Sequence, residues 1–439
     1  MGKVLASCGL TFFHFSTVSY FFRCHRRAVS SWYLTKDAKT LVFLITKYQR
    51  HIKWTHNDIL KLAHPKSVDL STNMIFKYIT KGFNKVKEYY ASLKQSPEPA
   101  LNEPSDPIGS KNKSFETLDY VYEFLDAFTT LKKSATEADV IKYIEKYKLH
   151  FEHIPTKYLK YESVWLALIE HSLQIDVILR NLNKLSNMPA FLKEDAKYVD
   201  LVCEKLKNKE ELSNLSLTPF ALLNIWTAYE KGHSKFSKIK KWIVNPKLNL
   251  TLQNTFHESL NANMNSKKKI CVLLNVWKFS RGRIYGNANI NSLEAAIFMC
   301  LNHVYNEENC KIFSFTDKFN QIEMTKNDSF RSVYDKIWSS ETIGTKDYMK
   351  AIELATSQEL DFDVFVVYTN LLLSRNLDVN SIITNYRKKL NKPNTKLIIV
   401  SLVASLEPVC SFNDPLCIDL LGFRYETPNI IFNFISDKF

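Results

Sequence analysis

The sequence predicts a mainly helical chain that closes with an α/β domain. Apolar residues recur at i, i+3, i+4 and i+7 through most of residues 24–260, the spacing of a buried helix face. After about residue 269, short apolar runs alternate with helical segments, as in a parallel sheet covered on both sides. Glycine and proline are sparse, 9 and 13 of 439 residues, too few for the many turns of an all-β fold. A chain of this length is expected to form two domains.

Residues 4–22 are apolar and aromatic, are followed by Arg23, Arg26 and Arg27, and have no acid before Asp37. That pattern suits a signal anchor or organellar presequence. However, His14 and several Ser and Thr interrupt it, and it is short for a membrane span. We therefore treat residues 1–25 as an unassigned apolar segment of a soluble chain.

Helical periodicity then predicts helices over Trp32–Gln49, His56–Ala63, Asn73–Leu93, Phe115–Leu131, Glu137–Tyr147, Tyr161–Glu170, Ile175–Leu185, Tyr198–Leu206 and Pro219–Glu230. Thr55 reads as the N-cap of the second, with Asp58 as its capping-box acid, and Pro65 stops it after His64. Lys94–Ser114 contains four prolines and reads as an exposed, flexible loop. Paired helices with short connections point to a HEAT-like α-solenoid over residues 26–262. In residues 263–439 the runs KKICVLLN (268–275), KIFSF (311–315), DVFVVY (363–368) and LIIVSL (397–402) read as buried strands. Helices over 291–304, 347–357 and 379–390 lie between them, and Pro428–Ser436 forms the last helix, which predicts a doubly wound sheet.

Charge is unevenly placed. Residues 23–90 hold 14 Lys/Arg against four acids, a surplus of +10 in a chain whose net charge is +14. The stretch TKYQRHIKWTHNDILKLAH (46–64) carries three of the eleven histidines and a single acid. Read as helix, Lys47, Arg50 and His51 share one face, and Lys77, Lys81 and Lys85 continue the basic surface at i, i+4 and i+8. Concentrated positive charge of this kind is the footprint of a polyanionic partner.

The eight cysteines are scattered without CxxC or Cys/His metal spacing and read as reduced core thiols. No GxGxxG, P-loop, HExxH or GxSxG motif occurs, and the histidine pairs lack the further ligands a metal or catalytic centre needs. The chain is not expected to be an enzyme.

Beyond these patterns, one collinear set of segments is specific. It runs from 46–64 through FKYITKGFNKV (76–86), VWLALIEH (164–171), LRNLNKLS (179–186), LVCEKLKN (201–208) and YEKGHSK (229–235). It continues with DVFVVYTN (363–370), YRKKLNKP (386–393) and LLGF (420–423). The set resembles the TROVE module of the Ro (SS-A/Ro) ribonucleoprotein family and covers the chain from about residue 26 onward. The resemblance implies a helical-repeat ring closed by a von Willebrand factor A-like domain. It also implies a cytoplasmic (also nuclear), monomeric, non-membrane protein that binds small non-coding RNA of the Y type and takes up misfolded small RNAs for quality control, together with protein partners of the ribonucleoprotein. The family's RNA-binding lysine falls on Lys47, its histidine on His64, and its arginine on His51, where a charge becomes pH-dependent. With these, Arg50, Lys53, Lys61, Lys77, Lys81 and Lys85 complete the expected RNA-binding set. The family's further helical repeats ahead of this region are not seen, which leaves ring closure open.

The von Willebrand A site usually carries DxSxS at the end of the first strand, then Thr and Asp, all oxygen donors for Mg²⁺. Here Asn275 stands at the Asp position, Trp277 and Phe279 at the Ser positions, Thr345 at the Thr position and Asn370 at the distal Asp. With both carboxylates gone and two donors replaced by aromatics, no Mg²⁺ or other cofactor is expected. The leading expectation is an RNA-binding, non-catalytic subunit. The alternative is a protein-interaction scaffold in which RNA binding has decayed.

Overall fold

The structure is a computed structural model. It describes residues 23–51, 54–95, 108–192, 196–215, 217–234, 240–261, 264–274, 282, 284, 287, 289–315, 319–339, 349–369, 379–403, 410 and 413–438. By packing, the chain divides into two compact units, Met1–Val177 and Ile178–Phe439.

The first unit contains α1 (Arg23–Leu34), α2 (Ala38–Lys47), β1 (Arg50–His51), β2 (Trp54–Thr55), α3 (His56–Ala63), α4 (Leu70–Lys81), α5 (Phe83–Gln95), α6 (Ile108–Lys133), α7 (Glu137–Tyr147) and α8 (Glu162–His171). Short polar caps set the helix starts. Asp37 accepts from the Thr40 amide and Thr136 from the Asp139 amide, satisfying N–H groups that the first turn leaves unpaired. Helices pack as neighbours, α1 on α3, α2 and α4 on α6, and α7 on α8. Their stripes meet in a core of Leu41, Val42, Met74, Ile75, Val121 and Leu125, all fully buried.

The second unit takes up the rest of α9 (Ile175–Leu185) and adds α10 (Lys197–Lys207), α11 (Lys209–Asn214), α12 (Pro219–Glu230) and α13 (Pro246–Ser259). Its sheet is built from β3 (Ile270–Leu274), β4 (Cys310–Phe315), β5 (Phe319–Gln321), β6 (Val364–Thr369), β7 (Lys396–Ser401) and β8 (Cys417–Leu421). The order is β5-β4-β3-β6-β7-β8, parallel except for the antiparallel edge pair β4–β5. Helices α14 (Ser292–Asn306), α15 (Phe330–Ser339), α16 (Met349–Ser357) and α17 (Val379–Lys389) connect the strands, and α18 (Thr427–Ile435) ends the fold. The side chains of β3, β6 and β7 are buried throughout, which is why they read as unbroken apolar runs. Strand order reverses between β3 and β6, where Leu274 pairs with Tyr368. Ligand sites of open α/β sheets lie beyond the strand ends at such a point.

Four expectations are corrected. The helix expected over Trp32–Gln49 is two, broken before Asp37, which caps α2. It ends at Lys47, so Arg50 and His51 do not share a helix face with it. They form a short strand, paired Arg50 to Thr55 and His51 to Trp54. The helix expected over Asn73–Leu93 breaks at Gly82, whose φ of 80° ends α4, so Lys85 lies on a different helix from Lys77 and Lys81. Residues 94–95 and 108–114, expected to be loop, are helical. Helices α11, α13 and α15 and strands β5 and β8 were not anticipated.

Candidate functional site

The basic stretch is organised by the hairpin β1–β2 and by α3. Thr55 caps α3 as its composition suggests: its hydroxyl accepts from the Asp58 amide at 3.3 Å, and Asp58 Oδ2 accepts from the Thr55 amide at 2.9 Å. The helix ends with His64 in the left-handed conformation, φ 49° and ψ 49°, its amide donating to the Leu60 carbonyl at 2.9 Å. Lys61 and His64 are both exposed at this end. Lys53 and the side chains of Arg50 and His51 lie outside the described residues.

Lys47 is placed otherwise than expected. Its side chain is 4% exposed and turned inward, donating to His150 Nδ1 at 2.7 Å and to Gln174 Oε1 at 2.9 Å. Glu152 Oε2 lies 3.7 Å away, an ion pair too long for a hydrogen bond. Burial pulls the Lys47 pKa down, and the charges of Glu152 and Asp176 oppose that shift. Beneath it His153 is fixed by two bonds: Nδ1 accepts from the His150 amide at 3.1 Å, and Nε2 donates to the Phe43 carbonyl at 3.2 Å. Burial pushes its pKa down to about 3, so it is neutral.

Of the other expected cations, Lys77 is half-buried with its ammonium 4.8 Å from the Tyr89 ring centre. Lys85 is exposed and paired with Glu88 at 2.7 Å. Lys81 is exposed at the end of α4 and lines an open cleft of about 410 Å³ in the first unit.

That cleft was not anticipated from sequence. Its rim includes Lys132 and Lys133 from the end of α6, both exposed. Tyr78, Ile79, Phe83 and Phe128 form apolar walls, and His56 and Asn57 from the first turn of α3 reach into it. The adjacent lysines at 132–133 were a visible signal; His56 was not, because only packing shows which end of α3 faces the cleft. At 1.5 Å per residue, α3 sets His56 about 12 Å from His64.

The residues of the degenerate metal motif, Asn275, Trp277, Phe279, Thr345 and Asn370, all lie outside the described residues. Strands β3 and β6 end immediately before Asn275 and Asn370, at the reversal of strand order. Among the described residues, no group of three or more His, Cys, Asp or Glu could hold a metal ion, and Cys203, Cys271, Cys300, Cys310, Cys410 and Cys417 are free thiols. No described helix is long and apolar enough to cross a membrane.

Comparison with known families places this architecture. A profile described as the TROVE domain matches residues 16–309, and one described as the Ro60 vWA domain matches residues 269–435. The chain belongs to the TROVE family. Among TROVE proteins, it is 27% identical over 433 residues to a Caenorhabditis elegans protein named RNA-binding protein RO60, covering 95% of this chain and 66% of the relative. A Deinococcus radiodurans protein of the same name is 24% identical over 411 residues, covering 93% of this chain and 71% of the relative. The crystal structure of the Deinococcus radiodurans RO (RSR) protein superposes with a TM-score of 0.70 at 22% identity, over 96% of this chain and 78% of that one. This match confirms the expected fold, a helical TROVE array followed by a von Willebrand A-like sheet. The chain spans just under two-thirds of the worm relative's length.

Proposed function

We propose that the chain is an RNA-binding, non-catalytic subunit of a small ribonucleoprotein, recognising structured non-coding RNA of the Y type and single-stranded ends of misfolded small RNAs. The carrying observation is the +10 surplus of residues 23–90, which falls within the segment matched by the TROVE profile. Two relatives named as RNA-binding proteins support the same reading. Phosphate contacts dominate such binding, because the deep groove of A-form RNA hides its base edges. Exposed Lys61, His64, Lys81, Lys132 and Lys133 are suited to this role. Buried Lys47 instead ties the end of α2 to His150 and Gln174. We further propose a helical part over 26–262, a von Willebrand A-like part over 263–439, and a soluble cytoplasmic monomer.

Binding of a small stem-loop RNA to the double variant Lys61→Ala/His64→Gly tests the site. Glycine retains the left-handed backbone at position 64. Affinity should fall at least tenfold with the fold intact, and unchanged affinity would remove this end of α3 from the interface. We also propose that the sheet binds no Mg²⁺, because Asn275 and Asn370 supply no anionic donor. Calorimetric titration with Mg²⁺ should give no saturable heat.

The inward turn of Lys47 also favours a second reading, a scaffold that binds proteins. Purification separates the two: an RNA-binding chain carries nuclease-sensitive absorbance at 260 nm, and a scaffold does not.

A further inference from the structure

Two residues that line the cleft beside the hairpin, His56 and Asn57, each carry a buried polar atom with no hydrogen-bond partner, Nε2 and Oδ1. Leaving such atoms unpaired is costly, and native folds rarely do so without cause. His56 is 4% exposed and held from behind, its Nδ1 2.6 Å from the Tyr33 hydroxyl and its ring stacked on Trp32. The Tyr48 carbonyl lies close enough to favour a ring proton, yet no hydrogen bond of normal geometry reaches Nε2. Burial drives the pKa of this histidine down to about 4, so the ring is neutral at physiological pH. Where the Tyr33 hydroxyl donates to Nδ1, Nε2 carries the proton and is a donor, the arrangement that the nearby Tyr48 carbonyl favours. Asn57 Oδ1 is an acceptor.

A donor and an acceptor on consecutive residues of α3 do not suit a bare phosphate, since an amide oxygen repels an anion and a neutral imidazole adds no charge. They suit a ligand edge that itself presents an acceptor next to a donor, as every nucleobase does. The walls agree with that chemistry, because half-buried Tyr78 and Phe83 offer aromatic surface to a base. Lys81, Lys132 and Lys133 on the rim supply the cations that the attached phosphate needs. A cleft of about 410 Å³ is within the usual range for such a ligand.

We propose that this cleft is a nucleotide subsite, in which an unpaired base is read by His56 Nε2 and Asn57 Oδ1 while its phosphate lies against Lys81, Lys132 and Lys133. Where the nucleotide belongs to a strand, the subsite rests on the RNA-binding reading above; a free nucleotide presents the same chemistry.

The test titrates the full chain with a uridylate hexamer, an abasic ribose-phosphate hexamer and uridine 5′-monophosphate, each against wild type and Asn57→Leu. The subsite requires Asn57→Leu to weaken the uridylate hexamer roughly tenfold while leaving the abasic hexamer unchanged. Binding of the mononucleotide with the same dependence on Asn57, but no hexamer binding, keeps the subsite for a free nucleotide and sinks the RNA reading alone. Hexamer binding that ignores Asn57→Leu overturns the subsite and leaves RNA binding standing. No binding of any of the three ligands overturns both. Should Asn57→Leu fail to fold, photocrosslinking of a 4-thiouridine hexamer to wild type decides. Crosslinks at Tyr78 or Phe83 support the subsite, and crosslinks confined elsewhere overturn it.

Discussion

Lys47 ends α2 with its ammonium turned into the protein, where His150, Gln174 and Glu152 surround it. Removing one member of a buried charge pair strands the other, although Glu152 at 28% exposure keeps some solvent. Lys47→Ala should therefore cost roughly 2–3 kcal/mol of stability in urea unfolding. A loss below about 0.5 kcal/mol, as for a surface substitution, would show that the ammonium faces solvent. Any RNA-binding defect of this variant should be judged at a temperature where it is folded. His153 makes a second residue-scale prediction. Its native pKa of about 3 lies below the ordinary 6.5, so between these values the unfolded chain binds the extra proton. Stability is fully retained above pH 6.5 and falls as the pH drops towards 3. The loss should reach about 2 kcal/mol at pH 5. Urea midpoints of wild type and His153→Gln across pH 5–7.5 check this, and parallel curves would refute it.

Among the elements, the junction of α4 and α5 decides which lysines share a surface. Gly82 ends α4 at φ 80° and ψ 176°, a region open almost only to glycine. Nothing lies within 4 Å of the place a Cβ would occupy, so the cost of Gly82→Ala is backbone strain and not a clash. It should be about 1–3 kcal/mol by thermal or urea unfolding. A neutral or stabilising result would mean that the two helices join differently. Helical periodicity crosses this junction without a break, because both helices present apolar residues at compatible spacing. The single glycine in KYITKGFNKV was the visible sign of the turn. The hairpin β1–β2 was illegible for a different reason. Two residues per strand are too few to show alternation against a helical background.

For the whole molecule, the proposed RNA binding should be electrolyte-sensitive. Each phosphate neutralised by a lysine contributes about 0.7–0.9 to the slope of log affinity against log salt. Lys61→Ala and Lys133→Ala should each reduce that slope by about this amount, whereas Lys85→Ala, already paired with Glu88, should change it less. Equal slopes for wild type and all three variants would place RNA away from this surface. Of the cations expected from sequence, Lys61, His64 and Lys81 are exposed as read, Lys85 is exposed but paired, and Lys47 is not exposed. The residues that line the cleft, His56, Asn57, Lys132 and Lys133, come from separate helices that only packing brings together.

Sequence by itself determined the order of the architecture, helices first and a mostly parallel sheet last. Stripe periodicity and unbroken apolar runs are local consequences of burying a helix face or a parallel strand, so they survive in one dimension. It also determined the capping box at Thr55–Asp58, since both partners lie within one turn. Tertiary structure alone decided which way charged side chains point. The inward turn of Lys47 depends on His150 and Gln174, over a hundred positions away. The unpaired edge of His56 depends on Tyr33 behind it and on the walls that α4, α5 and α6 raise in front. Whether a lysine meets solvent or a carboxylate is set by long-range packing, and no local pattern encodes that.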